Sequence, residues 1–473
     1  MTDNRTDYRI KIGRKILIER QSLCSENAEG LANQGSGDDD LQKVLKDTRV
    51  RIGTMLKMDN VSFLIGAGAS LDAGGVLLGR IPKDLEFQLI SEVSSRKTDE
   101  KLPDWFFLFY ETLFFLLNRE FDETLLIDNE FFYHDQNEKG IEINLESYLS
   151  HLHMWLASLQ GTTHHLSLTK TDCPRTLELS RSVLQTLIKK VTSGLVELLD
   201  LPKVEKMSNQ KDPLLPHRSF IKKILNRPLN LRRVNLFTLN YDTLLEQGAD
   251  AEGAVLVDGF VGNLRRVFRP ESFNLDFYFP AQTTEGKVHR YDRALHLYKL
   301  HGSLNWHKTG AGWDNPYGLY SSFYCQKCPD DDVMIYPTPL KYGQALGLPY
   351  SELFRKFGNA VVQSQSVLFV TGYGFGDEHV NAIIRQALAI PSFTLIVIDP
   401  DPSSDFFEQL KGLDDERVWL ITGWKLGTFS SFVSQLLPDL CEEEIDSKVI
   451  RTVQALSNSA KSNEPSGGCV DGK

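Results

Sequence analysis

The chain has 473 residues, 41% apolar and 24% charged, ample material for one large core or several. A net charge of −11 repels phosphate backbones, so a direct electrostatic grip on nucleic acid is not expected, and any such role falls to a partner or a local patch. Six cysteines are scattered, with only Cys325 and Cys328 close together. That pattern is no disulfide framework and suits a reducing, cytoplasmic setting.

The opening "MTDNRTDYRIKIGRKILIER" has no continuous apolar stretch after its charges, so no secretory leader is expected. Residues 1–48 read as a basic arm followed by a polar linker, "SENAEGLANQGSGDDD", poor in core-forming residues. The main domain is expected over 49–436. It begins with the strand "VSFLIG" from Val61, which runs into "GAGAS". There Gly66, Ala67, Gly68 and Ser70 form a turn whose backbone N–H groups can approach a diphosphate. The third glycine of the dinucleotide fingerprint is missing, and no acidic residue ends a second strand about 20 residues on. A plain strand-to-helix turn is the alternative. Gly74, Gly75 and Gly79 then suggest a loop over a ligand.

About 170 residues separate this strand from the next, far beyond the dozen or so that a crossover needs. The interval 83–228 reads as a helical insertion, with helices in "WFFLFYETLFFLLN" (105–118) and "TLELSRSVLQTLIKKVTSGLVELLDL". The first is too short to span a bilayer, which needs about 20 apolar residues, and is interrupted by Glu111. It reads as a helix buried in the core or in an oligomer interface, and no membrane association is expected. The histidines of "HLH" (151–153) and "HH" (164–165) lack metal-site spacing and read as surface or interface residues.

The second strand, "VNLFTLN", ends at Asn240, an amide suited to ribose hydroxyls or a water, followed by Asp242 as a helix cap or ligand contact. The third, in "LYKLHGS", ends at His301, Gly302 and Ser303. Strands follow in "VMIYP", "VLFVTG", "FTLIVID" and "VWLITG". Of these, "VLFVTG" opens a second glycine-rich loop in which Gly372 and Gly374 line the cleft and Asp377 caps the next helix. In that helix, Val380, Ile383, Ile384, Ala387 and Leu388 make one apolar stripe. Asp399 ends "FTLIVID", placed for an adenosine ribose or for a turn before Pro400. Residues 437–473 form a tail, expected to be disordered from about 457. Continuous apolar strands alternating with helices predict an α/β, doubly wound parallel sheet.

"FLIGAGAS", "FTLNYD" and "YKLHGS", in this order, resemble the sirtuin motifs GAG-x-S, T-x-N-x-D and HGS. "LYKLHGSLNW", "IYPTPLKYGQ", "FRKFG" and "GYGFGDEHVNAII" resemble one branch, the sirtuin-like NADase subunits of bacterial anti-phage defence, of the sirtuin–HerA (Nezha) type. The resemblance covers most of residues 60–425. It implies a Rossmann-like fold, NAD as substrate, His301 and Asn240 as catalytic residues, and Gly66, Ala67, Gly68, Ser70, Asp242, Gly302, Ser303, Gly372, Gly374 and Asp399 around the dinucleotide. It further implies a homo-oligomer partnered by a HerA-type hexameric ATPase, with the N-terminal arm and the 105–118 helix as candidate interfaces.

Two departures disfavour protein deacylation: "GGVLLGRIPKDLE" lacks the Phe-Arg pair of the deacylases, and "TGYGFGDEH" stands near their peptide-pairing strand. "CQKC" occupies the place of a first zinc pair but has no second, so zinc is not expected. The expected function is NAD hydrolysis at the nicotinamide–ribose bond. A non-catalytic NAD or ADP-ribose scaffold and a nuclease subunit are the alternatives.

Overall fold

Apolar strands without polar alternation bury both faces, and here they assemble into a nine-stranded sheet covered by helices on either side. The structure is a computed structural model that describes residues 6–21, 35–77, 80–94, 102–117, 145–159, 165–170, 173–201, 212–279, 289–322 and 349–441. In chain order the strands begin with β1 (Thr6–Ile12), β2 (Lys15–Gln21), β3 (Asn60–Ile65), β4 (His165–Lys170), β5 (Cys173–Ser180) and β6 (Asn235–Thr238). Next come β7 (Val255–Val257), β8 (Phe260–Val261), β9 (Arg266–Phe268), β10 (Tyr278–Phe279), β11 (His289–Arg290) and β12 (Ala294–Lys299). The last are β13 (Trp306–Lys308), β14 (Leu319–Ser321), β15 (Ser366–Thr371), β16 (Phe393–Asp399) and β17 (Val418–Thr422). The principal helices are α1 (Gly35–Met55), α2 (Ile81–Ser94), α3 (Asp104–Leu116), α4 (Leu145–Ser158) and α5 (Arg181–Leu199). They continue with α6 (Leu215–Leu225), α7 (Leu244–Ala251), α8 (Tyr350–Val361), α9 (Glu378–Leu388) and α10 (Asp405–Gly412).

The sheet order is β2-β1-β17-β16-β15-β3-β6-β12-β7, parallel from β17 to β7. From β3 the chain steps outward through β6 to β12, then returns to the other side of β3 for β15, β16 and β17. This is the doubly wound order with its switch point between β3 and β15. Alternation along β3 shows the two layers. Phe63 and Ile65 enter a core with α1, α6 and the segment 429–440. Leu64 faces a core built with α8, α9 and α10. Phe63 stacks on Phe369 of β15 at 4.8 Å.

Three expectations change. The N-terminal segment adds an antiparallel hairpin to the sheet: Arg9–Ile12 pair with Trp419–Thr422 of β17, burying Tyr8, Ile10 and Ile12. The alternation in "YRIKI" was the missed strand signal. Gly35–Asp40, read as linker, starts α1. The insertion is also not wholly helical. "TLELS" lies in β5, which pairs with β4, and the helix begins only at Arg181. The insertion closes its own core from α2–α5 and this hairpin, whereas α6 packs into the main core. Helix α3 is buried within the chain over most of its surface, with Asp104 exposed and Phe107 and Glu111 half-buried along the remaining face. "VMIYP", "IYPTPLKYGQ", Cys325, Cys328 and the tail beyond 441 lie outside the described residues.

Candidate functional site

Parallel pairing lines up one residue from each central strand in a single row: Ile398, Thr371, Ile65, Thr238 and Lys299. The residues read as catalytic or dinucleotide-binding lie just beyond this row, at the carboxyl edge where open α/β sheets bind ligands, while Gly79 lies outside the described residues. The strands end one or two residues earlier than expected, so Asn240 and His301 sit in the loops rather than on the strands.

The first glycine turn meets the second, backbone against backbone. The Gly68 N–H donates to Gly372 O at 2.9 Å and the Gly66 N–H to Thr371 O at 3.0 Å. A Cβ on Gly68 would lie 2.8 Å from Gly372 Cα, and one on Gly66 would lie 2.5 Å from Gly372 O. These glycines are therefore required by packing between two loops, and the Gly68 N–H is committed inside the protein. Ala67, Gly68, Asn240, Gly372 and Gly374 keep solvent-facing surface. Gly66, Ser70, Asp242, Gly302, Ser303 and Asp399 are buried behind them.

Asn240 Nδ2 donates to Gly66 O at 3.1 Å and to Ser70 Oγ at 3.0 Å. A backbone carbonyl only accepts, which fixes the nitrogen on that side. Asn240 Oδ1 is the part left for a ligand. The Ser70 hydroxyl donates to Asp242 Oδ2 at 2.7 Å, and Asp242 Oδ1 accepts the Leu244 N–H at 3.1 Å. Asp242 is thus a helix-start acceptor and an inner partner of Ser70. Lys299 binds the Asp242 carbonyl and Glu246 Oε1, tying β12 to this loop. Burial raises the Glu246 carboxyl above its ordinary value, against the pull of Lys299. Gly302, at φ +93°, turns the chain, and Ser303 and Leu304 bond the Tyr241 carbonyl at 3.3 and 3.0 Å.

His301 Nε2 lies 3.1 Å from Asp377 Oδ2. Asp377 performs two tasks, because its Oδ1 also accepts the His379 N–H at 2.9 Å and caps α9. The cap was legible in the sequence, but the imidazole contact was not. The loop 372–377 is held tightly around this pair. Asp377 N–H donates to the Tyr373 hydroxyl at 3.1 Å, and that hydroxyl lies 3.1 Å from Asn381 Oδ1. Asn381 Nδ2 donates to Phe375 O at 2.9 Å, clamping Phe375 at φ +56°, a left-handed backbone that costs a bulky residue about 1 kcal/mol or more. The Tyr241 ring lies 6.4 Å from that of His301, so Asn240's neighbour and the histidine share one wall.

Burial pushes the Asp399 carboxyl up to about 6, although its Oδ1 accepts the Asp401 N–H at 2.9 Å. This is the turn before Pro400. A carboxyl raised on folding stabilises the fold in acid, and that contribution is lost as pH rises through about 6. Asp399→Asn, whose amide oxygen keeps the turn bond, is expected to stabilise the protein at pH 8 by up to about 3 kcal/mol and to add nothing at pH 4. Urea unfolding at both values checks this, and an equal gain at both would show that the carboxyl does not titrate there.

Among the described residues no cluster of three or more His, Cys, Asp or Glu is placed to hold a metal ion, and no helix is long and apolar enough to cross a membrane. Three supporting residues escaped sequence reasoning: Lys299, Tyr373 and Asn381. Lys299 was visible only as the polar interruption in an apolar strand.

Comparison with known proteins places a family match over this site. The model of the SIR2-like domain family matches residues 234–418, which carry Asn240, His301 and the second glycine loop. Among solved structures, a Sir2 homologue in complex with NAD is 11% identical, with a TM-score of 0.34 over 85% of this chain and 94% of its own. A Ser-to-Ala variant of a Sir2 homologue, in complex with ADP-ribose, is 12% identical, with a TM-score of 0.35 over 85% of this chain and 97% of its own. No curated protein matches significantly.

Proposed function

We propose that this chain, which carries a SIR2-like domain and its doubly wound fold, hydrolyses NAD at the nicotinamide–ribose bond. The observation that carries the proposal is the His301–Asp377 pair at the edge of the sheet, with the ring of Tyr241, the residue after Asn240, 6.4 Å from the imidazole. Cleavage develops positive charge on the ribose, as in other glycosyl transfers. Nicotinamide leaves as a neutral group, so a positioned water and a base suffice. Asp377 accepting from Nε2–H places the lone pair on the other ring nitrogen of His301, the general base. Asn240 Oδ1, which can only accept, holds an O–H group, either the attacking water or a ribose hydroxyl.

The residues fit a dinucleotide in part. Ala67, Gly68, Gly372 and Gly374 have the surface to touch it, while Ser70, Asp242 and Ser303 act from behind. NAD depletion in anti-phage defence, in a complex with a HerA-type ATPase, is part of the same proposal and rests on the resemblance of the motifs. A partner of that kind would supply the nucleic-acid contact that a chain of net charge −11 disfavours.

Nicotinamide release from NAD is the test, by the purified chain alone and with the ATPase. His301→Ala and Asn240→Ala are each expected to lower release by about 10²-fold or more, with circular dichroism unchanged. Full activity in both variants would overturn the assignment. NAD binding without release in any combination would favour the scaffold.

A further inference from the structure

We infer that Asp242 is a positioning residue that sets the direction of the Asn240 amide through Ser70, an inference resting on the function proposed above. The three side chains form a directed line. Asp242 Oδ2 accepts the Ser70 hydroxyl at 2.7 Å, which turns the Ser70 oxygen's lone pairs toward Asn240 Nδ2 at 3.0 Å. The second hydrogen of Nδ2 goes to Gly66 O at 3.1 Å. With both amide hydrogens used, Asn240 shows the cleft an acceptor alone. A water held there must donate, which leaves a lone pair free for the ribose carbon, and a ribose hydroxyl held there is likewise fixed as a donor.

Burial makes this direction a property of the whole line. Ser70 and Asp242 are 3% and 8% exposed, so water does not readily stand in for a missing partner. Of the titratable groups near Asp242, Glu246 has its carboxyl raised by burial against the pull of Lys299, and His217 has its imidazole lowered to about 4 by burial, against the pull of Asp242. Lys299 holds the Asp242 carbonyl and so fixes where the carboxylate stands.

Asp242→Asn should break the direction without breaking the helix start. The Leu244 N–H keeps the amide oxygen at the Oδ1 position, so the new NH2 group faces Ser70. The Ser70 proton then has no inner acceptor and competes for Asn240 Oδ1 against the hold of Gly66 O on Nδ2, so the Asn240 amide is no longer kept in one direction. Removing the Ser70 hydroxyl removes that competition, while Gly66 O still holds Asn240 Nδ2.

The test compares wild type, Ser70→Ala, Asp242→Asn and the double variant, by kcat for nicotinamide release and by ADP-ribose affinity from calorimetry. The expected order in both is wild type, then Ser70→Ala and the double variant together within about 10-fold, then Asp242→Asn about 100-fold down. A double variant at or below Asp242→Asn overturns the positioning role, whatever wild type does. A wild type that releases no nicotinamide, with the order preserved in ADP-ribose affinity, supports the positioning role and overturns the hydrolase.

Discussion

Exchanging Asp377 for Asn is expected to lower nicotinamide release by about 10²–10⁴-fold while leaving the unfolding temperature within a few degrees of wild type. The two expectations separate because Asp377 caps the helix and meets the imidazole with different oxygens. Oδ1 caps α9, and Asn is as good a cap as Asp, so the His379 N–H keeps its acceptor. Oδ2 faces His301 Nε2 at 3.1 Å. There Asn presents an amide NH2, which donates, so the imidazole must turn a lone pair toward residue 377 and carry its proton on the other ring nitrogen. A base with the wrong tautomer cannot accept from water, and comparable carboxylate-to-amide changes in catalytic triads cost about 10⁴-fold. Asp377→Ala would confound this by removing the cap as well. If Asp377→Asn turns over NAD at the wild-type rate, the carboxylate is a cap alone and His301 needs no orienting partner.

Gly372→Ala is expected to be the most destabilising single-methyl substitution in the site, by about 3 kcal/mol or more. Its φ of +64° disfavours an L side chain by roughly 1–2 kcal/mol. The added Cβ would also lie 2.4 Å from Ala69 N and 2.8 Å from Gly68 C, backbone atoms that cannot swing aside. Gly68→Ala meets the same contact from the other side, with its Cβ 2.8 Å from Gly372 Cα. At Gly374, two residues along the same loop, an added Cβ would have nothing within 4 Å, so Gly374→Ala should stay within about 0.5 kcal/mol of wild type. Urea unfolding of the three variants reads the difference. Equal stability of Gly372→Ala and Gly374→Ala would mean that the two loops do not meet as described.

All the parallel strands except the short β7, with their approximate ends, were legible because they are largely runs of Val, Ile, Leu and Phe, and each run stops at a glycine, amide, histidine or aspartate. The hairpin β1–β2 was obscured by its charges. An antiparallel strand beside the sheet's edge strand needs only one apolar face, and "RIKI" supplies Ile10 and Ile12 at every second position. The strand in "TLELS" was absorbed into a helix because its leucines run straight into the helical stripe of α5.

At the candidate site, the gathering of its residues at strand ends was readable but their partners were not. Asn240 reads as both donor and acceptor until the positions of Gly66 O and Ser70 Oγ show the donor already used. Gly68 reads as a phosphate contact until Gly372, some 300 residues later in the chain, takes its N–H. Such pairings depend on the order of strands in the sheet, which one sequence carries only through the packing of the whole chain.

The most direct measurement is the product balance of NAD incubated with the wild-type chain, alone and with the ATPase. Equal amounts of nicotinamide and ADP-ribose, formed as NAD disappears and absent with His301→Ala, are the predicted result. Intact NAD in every combination, with NAD nonetheless bound, would contradict hydrolysis at this site.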